Sequence, residues 1–335
     1  MNAPCPESRS SWLEGQWYRL TPWHLLLIFP ALLFWLVSSL RRMLYRFHFL
    51  TSIRLPVPVI IVGNITVGGT GKTPLVLWLA HFLKINGYHP VIVSRGYGGQ
   101  RSKAQAVNPT DDAHQVGDEP LLLARRSGCP VWIGQDRAAV VREAIAKNPK
   151  CNVVISDDGL QHYHLGRDVE IAVIDGIHRF GNGLPLPAGP LREMPGRLAE
   201  VDAVVVNGGE PSLHEFGMVL KGEMFHNVQD EVTTRTSAEW TGMQVHGVAG
   251  IGNPQRFFEK LRSMGLNVIE HPFPDHHAFV PEDIRFGNEE VVLMTEKDAV
   301  KCKGFAPANC WFLPVEAELD PVFGNVILEK LHHGN

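Results

Sequence analysis

Gly68, Gly69, Thr70, Gly71, Lys72 and Thr73 lie together in VGNITVGGTGKTP, Val62–Pro74, and these residue types in this order can hold a polyphosphate. The glycines lack Cβ atoms, so backbone N–H groups can converge on phosphate oxygens. Lys72 can reach a terminal phosphate, and the Thr73 hydroxyl suits Mg²⁺. The strict phosphate-loop pattern asks for glycine where Thr66 stands, so one position departs from it. NVVISDDG ends an apolar run in Asp157 and Asp158, the residue type that completes the metal shell in phosphate-loop proteins. Asp175, closing EIAVIDG, is a rival for that role, and a plain Asp-Gly turn is the alternative for the doublet. Asp118 in VGDEP could receive the proton of an attacking hydroxyl or merely cap the following helix. His276 and His277 in FPDHHAF read as a surface pair or as support for a carboxylate base. His162 and His164 lack a third ligand at metal-site spacing, which argues against zinc.

The loop works only between a strand and a helix, and both are legible. VPVIIV, Val57–Val62, predicts a buried strand, and LVLWLAHFLK, Leu75–Lys84, predicts a helix whose first turn tolerates Pro74. Further strands are expected at Pro90–Val93, Val131–Ile133, Val153–Ser156, Ile171–Ile174 and Ala203–Val206, with helices at Leu121–Arg126 and Arg137–Lys147. This alternation predicts an α/β fold, P-loop NTPase-like, with a mostly parallel sheet and helices on both faces. Gly96–Glu119 reads as a mobile surface loop long enough to be functional. Composition shifts around Asn207–Val232. Beyond it, a strand at Val245–Ala249, a helix at Pro254–Met264 and a strand at Val291–Met294 suggest a smaller second α/β domain. The expected division is an anchor at 1–45, a P-loop kinase-type core at 46–209 and a C-terminal domain at 210–335.

The chain has 335 residues and a formal net charge of −4, which gives no electrostatic reason to expect nucleic acid. Its five cysteines are odd in number and form no C-x-x-C pair, which argues against a disulfide framework or zinc ribbon and fits a reducing cytosol. From Trp23 to Leu40 the only polar side chains are His24, Ser38 and Ser39, and Arg41, Arg42 and Arg46 close the run. A helix of that length reaches about 27 Å at ~1.5 Å per residue, close to a ~30 Å hydrocarbon core. The arginines favour a retained N-terminal membrane helix with the following body in the cytosol. Trp12, Trp17, Tyr18 and Trp23 suit the headgroup layer, and Pro30 could kink the helix so that it lies partly in the interface. A buried core helix is the bland alternative.

The ordered segments GNITVGGTGKTP, SRGYGG, GDEP, DDGLQH, GNGLPLPAGPLRE, FPDHHAF and TEKDAVK resemble those of the tetraacyldisaccharide 4'-kinase (lipid A 4'-kinase) family from Trp23 to Lys301. The family's loop is also similar in lacking the distant first glycine. The resemblance implies transfer of the γ-phosphate of ATP, with Mg²⁺, to the 4'-hydroxyl of an acylated glucosamine disaccharide 1-phosphate in lipid A biosynthesis. It places the catalytic body on the cytoplasmic face of the bacterial inner membrane, with the bilayer and the lipid as partners and no obligate protein partner evident. Carried onto this sequence, it implies that Lys72 neutralises phosphate charge, that Thr73 and Asp157 or Asp158 bind metal, and that Glu193 is a further metal or water-mediated ligand. Asp118 resembles the family's base and His276 the residue that supports it, across a cleft expected to close on the substrates. Arg192 is expected near phosphate; a purely structural ion pair is the alternative for Glu193 and Arg192. Gln161 and His162 are expected to contact the acceptor or position the aspartates, whereas Lys297 and Asp298 either meet adenine or cap a helix. Two other classes share the loop: a membrane-tethered nucleotide switch or ATPase, for which TEKD is a poor match to the guanine-reading N-K-x-D segment, and a scaffold that only binds nucleotide.

Overall fold

The computed structural model describes residues 15, 17–19, 21–96, 104–287 and 290–333. Cys5, Trp12 and the Tyr97–Gly99 part of SRGYGG lie outside them. Helix α1 spans His24–Arg46, followed by β1 at Val59–Gly63, α2 at Lys72–Ile85, β2 at Pro90–Ser94 and β3 at Gln105–Val107. Next come α3 (Ala113–Val116), α4 (Asp118–Arg126), β4 (Val131–Ile133), α5 (Arg137–Lys147), β5 (Val153–Asp157), β6 (Val169–Asp175) and β7 (Ala203–Asn207). Strands β8 (Phe216–Lys221), β9 (Met224–Asn227), β10 (Thr234–Thr236) and β11 (Gln244–Ala249) precede α6 (Pro254–Ser263) and β12 (Asn267–Pro272). The chain ends with β13 (Val292–Thr295), α7 (Glu296–Cys302), β14 (Cys310–Leu313), β15 (Glu316–Leu319) and α8 (Pro321–His333).

The contacts divide the chain into two units, one formed by Met1–Lys72, Asn152–Met218 and Leu319–Asn335, the other by Thr73–Cys151 and Val219–Glu318. In the first unit five parallel strands run in the order β8-β7-β6-β1-β5. Strands β1, β5 and β7 are buried at every residue, which is why they read as unbroken apolar runs rather than alternating ones. With strands parallel, their carboxyl ends share one edge, and Asp157, Asp175 and Asn207 each end a strand there. In the second unit β2 pairs in parallel with β4, and β3 pairs antiparallel with β4. A six-stranded sheet, β10-β9-β14-β13-β11-β12, completes that unit, packed through Phe225, Trp240, Phe257, Phe258 and Leu261.

The segment expected as a loop from Gly96 to Glu119 is structured where it is described. It supplies β3, whose register sets Ala106 opposite Trp132, and helix α3, whose N-cap Asp112 accepts from the His114 amide. Its polar composition hid an edge strand three residues long. Helix α1 passes through Pro30 without interruption, and it is not a core helix. Leu25, Phe29, Leu33, Trp35, Leu36 and Val37 are exposed, and only 11% of its most apolar 18-residue window is buried. At ~1.5 Å per residue its 23 residues reach about 35 Å, enough for a ~30 Å hydrocarbon core.

Candidate active site

In the first unit the glycine-rich loop leaves the buried end of β1. Gly68 and Gly71 have φ of +110° and +94°, which residues with a Cβ rarely adopt. A Cβ on Gly71 would also lie 2.2 Å from the Asn207 amide nitrogen, so position 71 admits no side chain. Asn207 Nδ2 in turn donates to the Thr70 carbonyl at 3.0 Å, fixing the loop from the end of β7. The Leu191–Glu193 segment is stitched to the same loop. The amide of Arg192 donates to the Ile65 carbonyl at 2.7 Å, the amide of Val67 donates to the Pro190 carbonyl at 2.8 Å, and Thr66 bridges Leu191. Thr66, where the strict pattern wants glycine, therefore occupies a β-bridge that any residue can make.

Lys72 opens α2 and lies 3.5 Å from Asp158 Oδ1. Arg192 Nη1 donates to both oxygens of Asp158, at 3.1 and 3.2 Å. Asp158 has φ +47°, a conformation costing a non-glycine residue about 1–3 kcal/mol and found mainly where a site demands it. Its neighbour Asp157 ends β5 and is buried. Glu193 is buried too, and accepts from Gln161 Nε2 at 2.9 Å and from the Tyr163 hydroxyl. Gln161 also donates to the Asn64 carbonyl at the head of the loop, so it braces loop and carboxylate together. His162 is half-buried beside it. The rival Asp175 uses Oδ1 to accept the amides of Ile177 and His178, which makes it the clasp of the turn after β6.

In the second unit Asp118 and His276 meet, although 158 residues separate them in sequence. His276 Nδ1 lies 3.2 and 3.1 Å from the Asp118 carboxylate oxygens, and Asp118 is 6% exposed. Asp118 is the first residue of α4 rather than its cap, which is Gly117. Its Oδ1 also accepts the adjacent Glu119 amide at 2.9 Å. Lys297 and Lys301, one turn apart on α7, approach Asp118 Oδ2 at 3.8 and 4.0 Å. Burial opposes the charge on Asp118, yet the His276 hydrogen bond and the Lys297 and Lys301 cations hold its carboxyl well below the usual range. The same hydrogen bond raises the His276 imidazole above its ordinary value. His276 has φ +59°, again left-handed. His277 is different: its Nε2 meets Asp283 at 2.9 Å and its ring packs on Phe273 and Phe279.

The TEKDAVK segment explains itself here. Thr295 caps α7 by accepting the Asp298 amide, and buried Asp298 accepts from the Gly250 amide and the Thr295 hydroxyl while pairing with Lys301 at 2.8 Å. Lys297 also pairs with Glu119 and Asp275, at 2.9 and 3.3 Å. Asp298 thus braces the Thr295 cap, whereas Lys297 joins the charge cluster on Asp118. Asn207, Tyr163 and Lys301 are the site neighbours that the sequence reading missed. A polar residue ending an apolar strand was the available signal for Asn207, as it was for Asp157.

The pattern of a known family, Tetraacyldisaccharide-1-P 4'-kinase (LpxK), matches residues 23–332. A protein of Methylobacillus flagellatus named tetraacyldisaccharide 4'-kinase is 51% identical over 325 residues, 97% of both chains. One of the same name from Azoarcus sp. is 50% identical over 316 residues, 92% of both chains. Among solved structures, an "apo" form of LpxK from Aquifex aeolicus in complex with ATP is similar at a TM-score of 0.76 and 28% identity, covering 92% of this chain and 99% of that one.

Proposed function

Because the chain belongs to the tetraacyldisaccharide-1-P 4'-kinase family, we propose that Lys72 and Asp118 divide its chemistry, one holding phosphate charge and the other removing a proton. The enzyme is an ATP-dependent kinase of lipid A biosynthesis that phosphorylates the 4'-hydroxyl of an acylated glucosamine disaccharide 1-phosphate. The observation that carries the division of labour is the Asp118–His276 pair, a buried carboxylate oriented by an imidazole on a strained backbone.

The lipid 4'-oxygen attacks the γ-phosphorus in line, the bond from γ-phosphorus to the β-bridging oxygen breaks, and ADP leaves. The hydroxyl proton passes to Asp118. A carboxylate held below its usual range suffices, because in a loose transition state the proton leaves late, when the attacking oxygen has become acidic. Gly68–Thr73 cradles the triphosphate, with Lys72 exchanging Asp158 for phosphate oxygens and Arg192 keeping Asp158 paired. Among the described residues no three acidic, histidine or cysteine side chains form a ready metal cage. That suits Mg²⁺, which takes one or two carboxylates and fills its shell with phosphate oxygens and water. Asp157 and the Thr73 hydroxyl would hold it, with Glu193 acting through water, since both oxygens of Asp158 are engaged by Arg192. When bound it neutralises charge on the β- and γ-oxygens. Half-buried His162 and its neighbour Gln161 are the residues we assign to contacting the acceptor or positioning the aspartates.

We place the enzyme at the cytoplasmic face of the bacterial inner membrane, with the exposed apolar surface of α1 in the bilayer. Holding the kinase where its amphiphilic substrate resides raises the effective concentration of both. Deleting α1 is expected to raise the KM for lipid in vesicles much more than the KM for ATP, which a two-substrate kinetic comparison checks.

The pH dependence follows from His276. With His276 protonated, Asp118 is tied to a cation and is a poor base; with His276 neutral, Nδ1–H still orients it. Transfer is therefore expected to rise with pH through a midpoint above the ordinary histidine value of about 6.5. His276→Gln keeps a donor but does not titrate, so its profile should lose that limb, and an unchanged limb would remove His276 from the mechanism. The function itself is tested by incubating the enzyme with γ-labelled ATP or GTP, Mg²⁺ and the acylated disaccharide 1-phosphate in mixed micelles. Label retained on lipid after acid removal of the anomeric phosphate, with ATP preferred, is the expected result. Release of inorganic phosphate with no labelled lipid would favour the nucleotide switch or ATPase.

A further inference from the structure

One cluster in the first unit joins the apolar helix to the loop. Tyr163 donates its hydroxyl to Glu193 Oε1, while Gln161 serves Oε2, so both oxygens of that carboxylate are held by this chain. The Tyr163 ring meets two further groups. The Tyr45 ring, in the last turn of α1, lies 5.9 Å away, and the Arg167 guanidinium lies 5.1 Å from the ring centroid. The Ser52 hydroxyl donates to the Tyr163 carbonyl at 2.6 Å, tying the backbone to the segment that leaves α1.

A second route runs beside the first. Arg46 and Arg42, at the end of α1, meet Glu200 at 3.0 and 3.9 Å. Glu200 lies 3.8 Å from Arg197, a guanidinium 3% exposed that donates to both oxygens of Glu170 at 2.6 and 2.7 Å. Arg167 donates to Glu170 as well, at 2.7 Å, and so links the two routes. The end of α1 is thus packed and charge-paired to the residues that fix Tyr163, and Tyr163 fixes Glu193.

We propose that Tyr163 is a positioning residue for Glu193, and that the carboxyl end of α1 holds Tyr163 in place, so the membrane helix contributes to cation binding as well as to lipid encounter. The inference rests on the reading of Glu193 as a water-mediated Mg²⁺ ligand. Partners that orient such a group typically alter metal affinity by about 10–100-fold when removed.

The test is Mn²⁺ titration of the full chain with a non-hydrolysable ATP analogue, read by electron paramagnetic resonance, alongside thermal melting. Tyr163→Phe keeps the ring against Tyr45 and Arg167 and removes only the hydroxyl. It is expected to weaken Mn²⁺ binding by about 10-fold with an unchanged melting temperature, and the double variant with Glu193→Gln should be no weaker than Glu193→Gln alone. Tyr45→Leu, which leaves the hydroxyl in place, should shift affinity in the same direction by less. If Glu193→Gln weakens Mn²⁺ binding and Tyr163→Phe does not, the positioning role is wrong while the metal reading stands. If Glu193→Gln itself has no effect, the metal reading falls and the inference with it. An unchanged Tyr45→Leu titration would sever the link to α1.

Discussion

Asp118→Asn is expected to slow phosphate transfer by about 10²- to 10⁴-fold while leaving ATP affinity close to that of the wild type. Asparagine keeps an oxygen for the Glu119 amide and fits the same space, so the change removes basicity rather than shape. The charge removed is buried, and breaking such a pair can cost about 3–5 kcal/mol of stability when a cation is stranded. Here it is not. Lys297 retains Glu119 and Asp275, and Lys301 retains Asp298, so the variant should fold and its defect should be chemical. Turnover measured beside calorimetric ATP binding distinguishes the cases. A normal turnover number would remove Asp118 as the proton acceptor, and lost ATP binding would make it structural.

Lys72→Ala should lower turnover by about 10²- to 10³-fold, roughly 2.7–4 kcal/mol of barrier, which is the usual scale for one preorganised group facing developing charge. Removing the ammonium leaves Asp158 paired with Arg192, so the left-handed turn at Asp158 keeps its restraint and the loop its path. The loss should fall more on turnover than on ATP affinity, because the backbone donors of Gly68–Thr73 remain. Rapid-quench kinetics with saturating ATP checks this. A variant that loses ATP affinity in proportion to turnover would show that Lys72 binds nucleotide without favouring the transition state.

Much of this site was written in strand-end chemistry. A buried parallel strand must be apolar along its length, so the first polar residue after the run marks the edge where ligands bind, and VISDD was read that way. The same logic applied to AVVVN, yet Asn207 was passed over because an asparagine at a strand end reads as a turn. Asp118 and His276 were paired only through the family resemblance. Nothing local marks a histidine that will take a left-handed backbone, and a sequence separation of 158 hides the contact. Lys297 was ambiguous and Lys301 was missed for the same reason: their spacing puts them on one helix face, but the partner of that face comes from α4. The Tyr163 hydroxyl was invisible because an aromatic after Gln-His reads as packing, and here the ring does pack while the oxygen serves Glu193. Helix α1 was legible as a long apolar helix, and its exposed leucines and phenylalanines set aside the buried core helix that was its alternative.

The most direct test of the central claim is a single-turnover experiment in which enzyme preloaded with γ-labelled ATP is mixed with micellar lipid acceptor, wild type beside Asp118→Asn. The account predicts that label moves from ATP onto the lipid 4'-position in the wild type and stays in ATP in the variant, with equal label bound at time zero. Label appearing as inorganic phosphate in the wild type, or moving to lipid equally fast in Asp118→Asn, would contradict it.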